Sequence, residues 1–287
     1  MSLTDVSLAA EDPFQQLTLR TGFYLESIPD IALADMEVAL RFWSEEVGKH
    51  AGFKAFITIY KNLDEMRTDF YQGKINFIVS SPLPIVDTFD PTLLADGYKI
   101  VQSDTSTKDQ LLIITHKNSG INNFKDIENK QLSILISDPI SEMYVDLLSL
   151  KHFGKQAREV FPNIDRIQRS NQLIFKLFFK KTDMILVYRN AYQLAIELNP
   201  QIKTNTRVIS RLANIPRGLG FFHRKVNPKF RESVLAEMEK LETHPRGRQL
   251  MALFHAEKIQ RSSIADLKTT QQLKKKHLQL IDRVRNR

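Results

Sequence analysis

The sequence predicts an α/β architecture of two lobes, each built on a mixed, mostly parallel sheet flanked by helices. Three observations predict it. Short β-type runs alternate with amphipathic helical runs from residue 18 onward, the same rhythm restarts near Gln110, and 287 residues with 42% hydrophobic content suffice for two cores.

The first lobe opens with Thr18-Leu-Arg-Thr-Gly-Phe-Tyr24, which alternates as a half-buried strand does. Met36, Val38, Ala39, Leu40, Phe42, Trp43 and Val47 then recur at helical spacing across residues 34–50. Residues 53–60 are rich in β-branched and aromatic types, 64–72 are helical in pattern, and 75–79 form a short apolar run. The second lobe repeats the scheme, with strands at 111–116, 132–136, 165–169 and 184–187 and helices at 123–129, 141–153 and 172–179. After Val208 the chain returns through 219–223 and runs in helices to its end.

Ligands of such sheets lie at the carboxyl ends of strands, which directs attention to the loops that follow them. These are Leu25-Glu-Ser-Ile-Pro29, Ser80-Ser-Pro-Leu-Pro84, Ser137-Asp-Pro-Ile-Ser141 and Tyr188-Arg-Asn190. Ser80 and Ser81 carry hydroxyls able to donate to an oxyanion, ahead of prolines suited to a helix start. Ser137 and Ser141 flank the start of a helix, whose unsatisfied N–H groups and positive dipole end suit phosphate-like or carboxylate groups. The alternative there is a plain N-cap, with Ser141 or Asp138 satisfying those donors internally. Arg189 adds a bidentate anion donor, with an ordinary surface arginine as the alternative.

A net charge of +8 favours anionic partners and is also compatible with solubility or a membrane surface. Without cysteine, disulfides, thiolate metal sites and Cys nucleophiles are excluded. Apolar runs such as 111–114 are far shorter than the roughly 20 residues of a membrane helix. Met1-Ser2-Leu3-Thr4-Asp5 begins no secretory signal, so the chain is either cytosolic or has had its signal removed. The histidines lack metal-ligand pairing, and neither a phosphate-cradling glycine loop nor a Gly-x-Ser-x-Gly elbow occurs. Glu45-Glu46 and Asp64-Glu65 are adjacent on helices and point apart. The expectation is a protein that is not an enzyme and has no cofactor or metal.

An ordered set of fragments then resembles the phosphate/phosphonate-binding periplasmic proteins of ABC importers, a branch of the type 2 periplasmic binding protein fold. The fragments are Tyr24-Leu-Glu-Ser, Glu46-Val-Gly48, Phe70-Tyr-Gln-Gly-Lys-Ile-Asn-Phe-Ile-Val-Ser-Ser-Pro-Leu-Pro84, Asn118-Ser-Gly-Ile-Asn-Asn-Phe-Lys-Asp-Ile-Glu-Asn-Lys-Gln-Leu132, Ser137-Asp-Pro-Ile-Ser141 and Lys181-Thr-Asp-Met-Ile-Leu-Val187. The resemblance implies two lobes joined by two crossover strands, near 110–116 and 208–223. Lobe 1 would hold 17–112 and 215–256, and lobe 2 would hold 113–214. It also implies pocket roles for Tyr24, Glu26, Ser27, Ser170, Asn171 and Tyr188. Relatives that bind aminoalkylphosphonates keep a Ser-Thr-Ser-Gly type run before the second-lobe helix, where this chain has Ile140-Ser-Glu-Met143.

Residues 257–287 form a basic C-terminal extension, expected to be helical, in which Leu267, Leu273, Leu278, Ile281 and Val284 make a narrow stripe. The favoured reading is a solvated basic helix, with docking on the first lobe or an anionic membrane as alternatives. Its lysine run lacks interleaved aromatics, so nucleic acid is not an expected partner. The function expected is a monomeric periplasmic receptor for a small anion such as phosphate or phosphonate, delivering it to an ABC importer permease. The alternative is a sensing or scaffold protein of the same fold that acts through a partner such as a membrane sensor.

Overall fold

The computed structural model describes residues 12–24, 33–102, 110–216, 218–253 and 256–286. The first segment comprises β1 (Thr18–Tyr24), α1 (Leu33–Ala51), β2 (Lys54–Tyr60), α2 (Leu63–Tyr71), β3 (Phe77–Ser80), α3 (Pro82–Thr88), β4 (Leu94–Ala95) and β5 (Gly97–Gln102). The second comprises β6 (Gln110–His116), β7 (Leu132–Leu135), α4 (Pro139–Phe153), α5 (Ala157–Val160), β8 (Ile164–Ile167), α6 (Ser170–Phe178), β9 (Met184–Tyr188), α7 (Arg189–Leu198), α8 (Gln201–Asn205) and β10 (Thr206–Ala213). The return segment comprises β11 (Leu219–His223), α9 (Pro228–Glu239), α10 (Pro245–Leu253), β12 (Ala256–Ser262) and α11 (Lys268–Arg285).

Two sheets result, one ordered β12-β5-β11-β3-β1-β2 with β4 beside β11, the other β10-β6-β9-β7-β8. The β1, β2 and β3 strands run parallel, as do β7, β8 and β9, because each is followed by a helix that returns the chain to the same edge. Both faces of the first sheet are buried, so its residues divide by alternation. Phe77 and Val79 pack with Phe23, Trp43, Phe222 and Phe230, while Ile78 packs with Tyr60, Met66, Phe70 and Phe221. A third cluster fills the second lobe around Leu111, Ile134, Leu173, Leu186 and Val187.

Local chemistry sets the boundaries. Asn62 caps α2 by accepting from the amides of Asp64 and Glu65, and Gly154 ends α4 in the left-handed region. Gly97 is required where β5 passes β11, since a Cβ there would lie 2.0 Å from the Gly220 carbonyl oxygen.

The registers show where the lobes meet. Tyr24 pairs with Tyr60, and Phe23 with Val79, so β1, β2 and β3 finish on one edge of the first sheet. The return strand β11 starts at that edge, with Leu219 opposite Ser80. In the second sheet, Leu111 pairs with Tyr188 and Ala213 with Gln110, so β6 enters and β10 leaves where β9 finishes. Both crossings therefore join the carboxyl edges of the two parallel strand sets.

The C-terminal region departs from expectation. Residues 256–262 form strand β12, antiparallel to β5, because the edge of the first sheet supplies ladder partners to a segment with weak strand patterning of its own. Helix α11 is docked, not solvated all round. Thr270 and Leu273 are buried, and Leu273 and Leu280 join the second-lobe core. Leu278 points outward, 50% exposed, and the docked stripe is completed by Lys274 and His277. The short helix expected over 123–129 is only a 3-10 turn at Phe124–Asp126.

Candidate functional site

The first lobe presents two candidate strand ends and a helix start at the edge where the chain crosses. Tyr24 closes β1 and is half-buried, Ser80 closes β3 and is buried, and Ser81 stands at the N-cap of α3, also buried. Ser81 makes no side-chain cap bond to α3, and Pro82 at its first position contributes no N–H. Glu26 and Ser27 lie outside the described residues.

Strand order places the second-lobe helix starts side by side along the facing edge, as α7, α4 and α6 following β9, β7 and β8. Ser170 opens α6 and is buried, and Arg189 opens α7 and is half-buried. The residues preceding these helices, Arg169 and Tyr188, supply no side-chain cap. Asn171 is exposed and accepts from the Gln172 amide at 2.7 Å. Ser137 is exposed and takes a left-handed φ of 57°, which turns the chain sharply between β7 and α4.

The start of α4 differs from its neighbours. The Asp138 side chain, 4% exposed, caps it. Asp138 Oδ2 accepts from Ser141 Oγ at 2.5 Å, and Oδ1 accepts from the Ser141 amide at 3.4 Å and from Tyr188 Oη at 3.2 Å. An internal carboxylate thus holds the positive end of the helix dipole. The sequence alternative of an ordinary N-cap is what forms at this loop. Ser141 and Tyr188 are brought together, and their hydroxyls donate to Asp138. In the sequence Asp138 is one of two candidates for that N-cap.

Among the described residues no group of three or more His, Asp or Glu is arranged to hold a metal, and no helix is long and apolar enough to cross a membrane. Hydroxyls, two helix starts and one guanidinium thus lie at the carboxyl edges of the two sheets.

Two α/β lobes, two crossings and polar loops on facing carboxyl edges define the two-lobed class of periplasmic solute-binding proteins. The chain belongs to the phosphonate branch of that class, since residues 27–267 match the family described as ABC transporter, phosphonate, periplasmic substrate-binding protein. Membership places it among periplasmic solute-binding proteins that serve ABC transporters.

Solved structures share the fold at low identity. A binding-protein component of an ABC phosphonate transporter from Pseudomonas aeruginosa is 11% identical with a TM-score of 0.64, covering 93% of this chain and 88% of that one. A Prochlorococcus marinus protein in complex with methylphosphonate is 11% identical with a TM-score of 0.61, covering 92% and 98%. A Xanthomonas citri protein bound to chloride is 11% identical with a TM-score of 0.65, covering 93% and 100%. No curated protein sequence matches the chain.

Proposed function

We propose that the protein is a monomeric receptor that closes its lobes over a small oxyanion-bearing ligand and presents it to an ABC importer permease. The observation that carries this reading is that the starts of α6 and α7, neither capped by the preceding side chain, lie with Ser170 and Arg189 at the carboxyl edge of the second sheet, while Ser80 and Ser81 lie at that of the first. Helix-start amides and hydroxyls stabilise an oxyanion without needing a counter-charge, and Arg189 supplies one. The two crossings act as the hinge, and no chemical step is assigned.

Thermal unfolding with phosphate, methylphosphonate, sulfate and simple carboxylates tests the reading. A ligand at a hundred times its Kd stabilises by about 2.7 kcal/mol, enough to raise Tm by several degrees. No shift with any of them overturns it. The occupation of the α4 start by Asp138 favours a second reading, in which the same fold senses a solute or scaffolds a partner. Stimulation of the importer's ATPase by the loaded receptor separates transport from that alternative.

A further inference from the structure

We propose that the end of the second lobe farthest from the crossings is a membrane-docking tip, in which Phe179 and Leu198 enter the headgroup layer of an anionic bilayer while Lys117, Lys180 and Lys181 hold its phosphates. The topology gathers these residues at one edge. Helix α6 connects β8 to β9, which run in the same direction, and α7 with α8 connects β9 to β10, whose Thr206 lies opposite His116 at the end of β6. Thr115 lies opposite Met184, so β6 ends where β9 begins. The C-terminal ends of the packed helices α6 and α7 therefore come to the end of β6 at the amino edge of the second sheet, away from the carboxyl edge that the crossings join.

At these ends large apolar side chains face outward. Phe179 is 63% and Leu198 78% exposed, and Phe175 and Leu194, one turn back on the same helices, are exposed as well. The rings of Phe175 and Phe178 pack beside that of Phe179, with centroids 6.3 and 5.3 Å away, so the aromatic knob is held in place although water reaches it. Lys176 is paired with Asp165, whereas Lys180 and Lys181 are exposed and pair with no carboxylate among the described residues. Asp183, the acidic residue of the same loop, accepts from the Gln131 amide at 2.8 Å, and its carbonyl accepts from Thr115 Oγ1 at 2.8 Å, which fixes the loop to β6 and β7. Burial and the charge of Lys180 hold His116 below its ordinary pKa, which puts Lys180 beside the end of β6, where Lys117 follows. Exposed rings with lysines one and two residues on are the two elements of interfacial binding, apolar burial and attraction to anionic lipid. A fluid headgroup layer encloses such a protruding ring without a matching cavity, which a folded partner would have to supply.

Cosedimentation of the full chain with vesicles tests this, using phosphatidylcholine alone and its equal mixture with phosphatidylglycerol. Each lysine beside an anionic surface contributes about fivefold to binding, so K180Q/K181Q should bind the mixed vesicles about tenfold or more weakly than wild type. F179S, which removes an exposed ring, should weaken binding about tenfold. K275Q/K276Q removes the same charge from exposed positions of α11 and should bind as wild type does. Phosphatidylcholine alone should bind little of any of them, and F179W should show a blue shift of emission on the mixed vesicles. Wild type that does not bind the mixed vesicles overturns the assignment, as does K275Q/K276Q losing as much affinity as K180Q/K181Q, which would make net charge the cause. Unchanged binding by F179S, or F179W emission that does not move, overturns the insertion of the ring. Binding of polyglutamate without binding of vesicles overturns the lipid surface in favour of an acidic protein.

Discussion

His277 Nε2 lies 2.6 Å from Asp146 Oδ2, a contact that ties the last helix of the chain to the longest helix of the second lobe. One turn earlier, Lys274 Nζ lies 2.5 Å from Asp87 Oδ1 at the end of α3, which follows a first-lobe strand. Leu273, next to Lys274, is buried in the same cluster as Leu83 of α3 and Leu148 of α4. The basic helix therefore straps across elements of both lobes, and its charges serve docking as well as the solvent face.

The apolar anchor of this strap carries more stability than its ion pairs. Leu273 is 6% exposed, so L273A leaves a cavity and is expected to cost about 2–5 kcal/mol. Lys274 and Asp87 are partly exposed, and K274A is expected to cost no more than about 1 kcal/mol. Urea denaturation of the two variants checks the ordering, and equal losses would contradict it.

The Asp146 contact makes docking sensitive to acid. Burial works to raise the Asp146 pKa, but hydrogen bonds from His277 and the Ala157 amide, with the nearby charges of His277 and Arg158, outweigh it and hold the carboxyl below its ordinary value. A carboxyl with a lowered folded-state pKa contributes stability above its unfolded pKa and loses it as pH falls through the folded value. D146N should be less stable than wild type at neutral pH, and the difference should shrink below about pH 4. Thermal melts from pH 7 to pH 3 read this, and a constant difference would refute it.

His223 adds acid sensitivity from a different cause. The residue is 2% exposed, its ring stacked 4.2 Å from Phe14 with Phe70 meeting it edge-on at 4.8 Å. Burial, aided by Lys225, pushes its pKa down to about 4. The unfolded chain then binds the extra proton first, so stability rises with pH between about 4 and 6.5. H223F keeps the stack and removes the titration, and its stability should vary less with pH across this window than that of wild type. An unchanged slope would mean that another group carries the effect.

Much of this scaffold is legible because burial leaves a periodic trace. The alternation of Thr18–Tyr24 gives β1 its observed bounds, and the apolar run ending in Ser80 gives β3. The helix after Tyr188 is less legible, since α7 buries only Tyr192 and Ala195 and leaves Leu194 and Leu198 exposed. Strand β12 depends on a partner edge supplied from more than a hundred residues away, as Gln260 opposite Lys99 illustrates, and no local pattern encodes that. At the site, residue type announced hydroxyls near helix starts but not their direction. Ser141 and Tyr188 turn to Asp138 because three side chains from two loops meet there, a tertiary fact.

Arg189 provides the most direct test of the ligand's charge. It opens α7 beside the α4 start that Asp138 caps, half-buried, at the carboxyl edge of the second sheet. A charge-assisted hydrogen bond to an oxyanion contributes about 1.5–3 kcal/mol, so R189A should weaken binding of the best anion from the panel by about ten- to a hundredfold. R189K retains the charge but not the planar fork and should fall between wild type and R189A. Calorimetric titration of wild type, R189K and R189A checks the order. Unchanged affinity in R189A would remove the guanidinium from the site and leave the oxyanion to the serines and helix-start amides.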